Sequence, residues 1–97
     1  MFIVNITYKT TLEAVNQLLE QHIEYLDQQY ELGHFVASGR KVPRTGGIIL
    51  SPIKDKSLLE NILAKDPFKQ ENIADYELIE FIPSKTSDAL RELKNTL

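Results

Sequence analysis

Cysteine is absent from the 97 residues, which excludes a disulfide framework, a thiol nucleophile and thiolate-bound zinc. Whatever stabilises so short a chain must therefore come from its core or from a partner chain. Glycine and proline number only four each, too few for a collagenous or low-complexity sequence. Long hydrophobic runs are missing as well: Met1–Val4 and Ile48–Leu50 fall far below the roughly 20 residues that span a bilayer. Without a basic leader or a spanning segment, a cytoplasmic location with no membrane partner is expected. Positive charge is not in excess either. Eleven Lys and Arg against fourteen Asp and Glu leave a formal charge of -3, the wrong sign for gripping a phosphate backbone, so no nucleic-acid partner is expected. With two histidines and scattered carboxylates, no metal-ligand motif can be assembled, and neither a metal nor another cofactor is expected.

What is present describes a folding chain. Hydrophobic residues make up 42% and charged residues 26%, ordinary values for one globular domain, expected over residues 1–97. Phe2 to Tyr8 is rich in β-branched and aromatic residues and reads as a first strand. Thr10 and Glu13 have the spacing of a capping box, and Val15, Leu19, Ile23, Leu26 and Tyr30 continue a helical period until Gly33 ends it. His34–Ser38 reads as a short second strand and Gly39–Thr45 as a basic loop containing Pro43. Gly46 opens a third strand closed by Pro52. Asp55 or Ser57 can cap a second helix with Leu58, Leu59, Ile62 and Leu63 on its buried side. Asp66-Pro67 ends that helix and can start a new turn, with Asp66 as cap and Pro67 at the first helical position. Tyr76–Ile82 reads as a fourth strand. A last helix, capped by Thr86 or Ser87, would align Leu90, Leu93 and Leu97.

This order predicts an α+β, ferredoxin-like βαββαβ fold: an antiparallel four-stranded sheet, helices on one face, and a C-terminal helix appended. Two helices cover only one side of such a sheet, yet the strands are apolar on both alternation sets. An outer patch of Ile3, Ile49, Ile79 and Phe81 would be large for a monomer. A homodimer formed by sheet-to-sheet pairing is expected, with the C-terminal helix as the competing cover.

His22 stands out within the first helix. At about 100° per residue, with Val15 at zero, Leu19 falls near 40°, Leu26 near 20° and His22 near -20°, so the imidazole lies within the apolar stripe. Two readings are open: a core histidine satisfied by a backbone carbonyl, or an acid/base group held in a pocket. Asp66 is the acid whose backbone is best fixed, by the proline that follows. Capping a helical turn accounts for it equally well, and a spacing of forty-four residues does not show that the two side chains meet.

Taken together, His22-Ile23-Glu24-Tyr25-Leu26, Gly33 before Val36-Ala37-Ser38-Gly39, Gly46-Gly47-Ile48-Ile49-Leu50, and Asp66-Pro67-Phe68 leading to Tyr76-Glu77-Leu78-Ile79-Glu80-Phe81 resemble the YciI-like, or YCII-related, proteins. The resemblance covers nearly the whole chain. It departs at Glu71-Asn72, where a glycine commonly precedes the last strand and where Asn tolerates left-handed geometry, and at Arg40-Lys41-Val42, where a proline often follows. It implies a dimeric α/β barrel with a histidine and an aspartate, here His22 and Asp66, facing a pocket near the dimer interface. One characterised branch of that family is a dehydrochlorinase, the related muconolactone isomerases share the general fold, and most members have no assigned activity.

The expected function is accordingly a small-molecule lyase or isomerase with His22 as general base and Asp66 fixing its tautomer. Ser38, Arg40 and Phe68 are the candidate substrate-binding residues, Arg40 for an anionic metabolite and Phe68 as a pocket wall or a plain core residue. The alternative is a noncatalytic dimer that binds a metabolite or a partner protein in the same pocket.

Overall fold

The computed structural model describes residues 1–94. Strand β1 (Phe2–Tyr8) leads into helix α1 (Leu12–Glu31), strands β2 (Ala37–Arg40) and β3 (Gly46–Ser51), helix α2 (Lys56–Leu63), the single-turn helix α3 (Pro67–Gln70) and strand β4 (Ala74–Glu80). The sheet order is β2-β3-β1-β4 and every neighbouring pair is antiparallel. This is the expected ferredoxin-like arrangement, with Phe2, Val4 and Ile6 of β1 facing the helices and fully buried.

Helix boundaries follow local chemistry. The Thr11 hydroxyl, not that of Thr10, caps α1 by accepting from the Ala14 N–H. Asp55 caps α2 through the Ser57 and Leu58 amides, and of the four expected core positions Leu58 is instead 48% exposed. Gly33 has φ 76° and Asn72 φ 55°, the left-handed conformations these two residue types tolerate best.

Four expectations need correction. β2 begins three residues late, because His34–Val36 bridge from α1 to the sheet, and it runs on through Gly39 and Arg40. β4 is likewise shifted, to Ala74–Glu80. Ile49 lies on the inner face, paired with Val4 and 2% exposed, so the outer patch is built from Ile3, Ile48, Leu50 and Ile79, with Phe81 just beyond β4. The C-terminal helix is a 3₁₀ stretch, Asp88–Leu93, preceded by Ser87 and with no buried residue; Leu97 lies outside the described residues. It borders clefts with Val36, Met1 and Pro52 and leaves Ile79 and Phe81 exposed on the outer side.

The turn into β3 tolerates no side chain at Gly46, where a Cβ would stand 1.8 Å from the Ile6 carbonyl oxygen, whereas one at Gly39 would meet open space. Gly46→Ala should therefore cost about 3 kcal/mol or more and lower the melting temperature by more than about 10 °C. Gly39→Ala should stay within about 4 °C of wild type, both read by thermal unfolding followed by circular dichroism.

Candidate functional site

Asp66 is completely buried, and a buried carboxylate persists only where donors surround it. Three do. The Phe68 N–H donates to Oδ1 at 3.1 Å, which makes Asp66 the cap of α3. His22 Nδ1 reaches the same oxygen at 2.8 Å, and the Tyr76 hydroxyl donates to Oδ2 at 2.5 Å. Capping α3 and contacting His22 are thus not alternatives for Asp66, since one oxygen meets both groups.

The network fixes the imidazole. A carboxylate only accepts, so Nδ1 carries the proton, and in the neutral ring the lone pair resides on Nε2. Phe68 lies flat beneath the ring, centroids 3.9 Å apart and planes within 6°. The His22 side chain is 12% exposed. Nε2 makes no hydrogen bond among the described residues and is not among the buried unpaired atoms, so it is the edge that opens outward.

It opens into a cavity of about 250 Å³ between α1 and the inner face of β1, β3 and β2, with Leu19, Ile23 and Leu26 as an apolar wall and Tyr8, Ser38, Arg40 and Arg44 as polar lining. The register explains the convergence. Ser38 pairs with Ile49 and Arg40 with Gly47, so both point to the helix side, and Gly47 contributes no side chain to fill the space. Ser38 Oγ is tied to the Tyr30 hydroxyl at 2.6 Å. Arg44 donates to Asn16 Oδ1 at 2.7 Å, whereas Arg40 has neither ion pair nor hydrogen-bond partner among the described residues. No carboxylate lines the cavity. Its polar groups suit a small anion, and its volume is slightly below the roughly 300 Å³ at which drug-sized pockets begin.

Of the five sequence candidates, His22, Ser38 and Arg40 line one cavity and Asp66 sits directly behind His22. Phe68 is 2% exposed, stacks on the imidazole and is not among the residues lining the cavity, so it has the place of a core residue. In the sequence Tyr76 and Tyr8 read only as packing residues. Both occupy inward positions of their strands, opposite Ile6 and Ala74 respectively, and a phenol at an inward position that must find a partner for its hydroxyl was the available signal. Among the described residues no three His, Asp or Glu side chains cluster as a metal site, and no helix is long and apolar enough to cross a membrane.

Burial and then the charge of Asp66 push the Tyr25 phenol well above its ordinary range, and the same causes, with the Asp66 hydrogen bond, push Tyr76 higher still. Tyr25 donates to the Ile62 carbonyl at 2.7 Å. Because both folded values lie above the unfolded value of 10.0, the stability these phenols contribute is intact below about pH 10 and declines above it, where only the unfolded chain ionises them. In an ultraviolet titration at least two of the four tyrosines should ionise only as the fold opens. Normal ionisation of all four with the circular dichroism unchanged would contradict the network.

The sequence profile of the YCII-related domain family matches residues 1–82, a span that takes in all four strands, His22 and Asp66 and stops before the 3₁₀ stretch. No curated protein matches the chain. With more than four-fifths of its length matched, and with the four-stranded antiparallel fold described above, the chain belongs to the YCII-related domain family.

Proposed function

We propose that this protein is a small-molecule lyase or isomerase in which His22 Nε2 removes a proton from a carbon next to a carbonyl or carboxylate of an anionic substrate. The observation that carries the reading is the buried Asp66 engaging Nδ1, which leaves a bare Nε2 facing a cavity with two guanidiniums and no carboxylate. Arg40, unpartnered, takes the substrate carboxylate, a role suited to the planar guanidinium fork. Ser38 adds a hydroxyl beside it. When Nε2 is protonated, the Asp66 carboxylate stabilises the resulting imidazolium, and the apolar wall keeps bulk water from competing for the base.

The working form in this reading is a homodimer. Its support is the uncovered outer face of Ile3, Ile48, Leu50 and Ile79, together with Asn5, whose Oδ1 is buried there without a partner while Nδ2 donates to Glu77 at 3.1 Å. A second sheet laid on that face would cover the apolar residues and offer Asn5 a donor. In sedimentation equilibrium the wild type should run as a dimer, and Ile79→Glu, which puts a charge on the seam, should run as a folded monomer.

Proton abstraction can be read with 2-oxobutanoate, which carries a carboxylate and enolisable C3 protons. In D₂O the wild type should exchange those protons faster than buffer, and His22→Ala should fall to the buffer rate. Asp66→Asn, which turns an amide N–H toward Nδ1 and moves the ring proton to Nε2, should lower the rate about 10³- to 10⁴-fold. Binding of 2-oxobutanoate without exchange, equal in wild type and His22→Ala, would instead establish the noncatalytic binding module.

A further inference from the structure

Four tyrosines are present, and three have their hydroxyls engaged within the fold: Tyr25 with the Ile62 carbonyl, Tyr30 with Ser38, and Tyr76 with Asp66. Tyr8 is the exception. Its hydroxyl has no hydrogen-bond partner among the described residues, and Tyr8 is also the tyrosine that lines the cavity.

Its ring packs against the same residue as the imidazole. Tyr8 packs edge-on against Phe68, centroids 6.0 Å apart and planes at 86°, while His22 stacks on Phe68 at 3.9 Å. At the end of β1 its backbone N–H donates to the Thr45 carbonyl at 2.9 Å. One buried phenylalanine therefore sets two polar rings of the cavity relative to each other. A tyrosine needed only for packing has no use for its oxygen, and phenylalanine would fill the same place at lower desolvation cost.

We propose that Tyr8 is a second catalytic residue, whose hydroxyl donates a hydrogen bond to the oxygen on which negative charge develops when His22 removes the proton. The inference rests on the reading of His22 as general base and deepens it. As the C–H bond breaks, its proton goes to His22 Nε2 and its electron pair forms a C=C bond, while the carbonyl π pair moves onto oxygen. Tyr8 stabilises that enolate oxygen, and Arg40 holds the adjacent carboxylate. Return of the proton from His22 to carbon completes an exchange or an isomerisation, and departure of a leaving group with the electron pair completes an elimination. No oxidant or metal enters the balance. The substrate class is thereby narrowed to carboxylates whose acidic C–H adjoins a separate carbonyl group, since a simple alkyl carboxylate offers Tyr8 no oxygen beyond the two that Arg40 holds.

Tyr8→Phe separates this role from a structural one. The ring and its contact with Phe68 remain and no internal hydrogen bond is lost, so the melting temperature should stay within about 4 °C of wild type. With 2-oxobutanoate in D₂O, kcat for C3 exchange should fall about 100-fold, the scale for one donor to an oxyanion, with KM changing less than threefold. Oxalate, a planar mimic of the enolate, should bind wild type more tightly than 2-oxobutanoate does, and the variant should lose that preference. An exchange rate within twofold of wild type, with the oxalate preference kept, would overturn the Tyr8 proposal while His22→Ala still tests the base. No exchange by the wild type would overturn both.

Discussion

The burial of Asp66 is the constraint on which the site depends. A carboxylate with no exposure must collect its donors from the protein, and removing one partner from such a group costs several kcal/mol. Here the donors come from three places: an imidazole in the middle of α1, the backbone amide two residues on, and a phenol on β4. Satisfying one side chain thus pins α1, α3 and β4 to each other beside the core formed by Phe2, Val4, Ile6 and Leu59. Lys69 lies over the Tyr76 ring at 5.0 Å, so the outer side of the network is covered by a cation on the ring face. Fold and site share this interaction, and with a carboxylate that only accepts, the proton on His22 belongs on Nδ1.

The helix that carries His22 shows how the cavity arises. Its apolar stripe, read from the sequence, centres on Leu19, Leu26 and Ile23. Its buried residues are Val15, Tyr25 and Gln29, a face turned by more than about 60° from that stripe at 100° per residue. Ile23 and Tyr30 are 47% and 37% exposed. Part of the stripe therefore does not pack on the sheet but lines the open space above β1 and β3. His22 sits where the two faces meet. One edge of its ring belongs to the packed interior and reaches Asp66, and the other belongs to the cavity. A histidine at the centre of the packed face would have been inert, and one on the cavity face alone would have lacked an orienting partner.

Much of this was legible from residue types and order. The alternation of Phe2, Val4 and Ile6, the caps at Asp55 and Asp66, and the left-handed positions at Gly33 and Asn72 all express local rules that tertiary packing did not override. Boundaries failed where tertiary context decided: Thr10 and Thr11 are equally good caps by type, and His34–Val36 are strand-forming residues used as a bridge. The face of Ile49 was misread because a strand apolar on both alternation sets carries no period-2 signal, and only the pairing of Val4 with Ile49 settles which side is in. For the site, residue type and spacing nominate His22 and Asp66 singly and only the family resemblance pairs them, because contact across forty-four residues is a product of the whole fold. Tyr76 and Tyr8 went unread for a related reason: an inward tyrosine differs from an inward phenylalanine only in the partner of its oxygen, and that partner is invisible until the strands are paired.

Charge distribution supplies the last step. The chain is acidic overall, yet the polar groups lining the cavity are an imidazole, two hydroxyls and two guanidiniums. The carboxylate of Asp66 is fully buried behind the His22 ring that it orients and is not part of the cavity lining. Its charge is therefore spent on the imidazole and does not face an incoming anion. Positive side chains thus gather in this concavity on a chain that is acidic overall, and charge placed in a low-dielectric recess acts more strongly than the same charge on an open surface. Turning Asp66 toward the cavity would cancel a guanidinium and free Nδ1, so the same buried geometry that stabilises the fold keeps the imidazole oriented and the cavity lining positive.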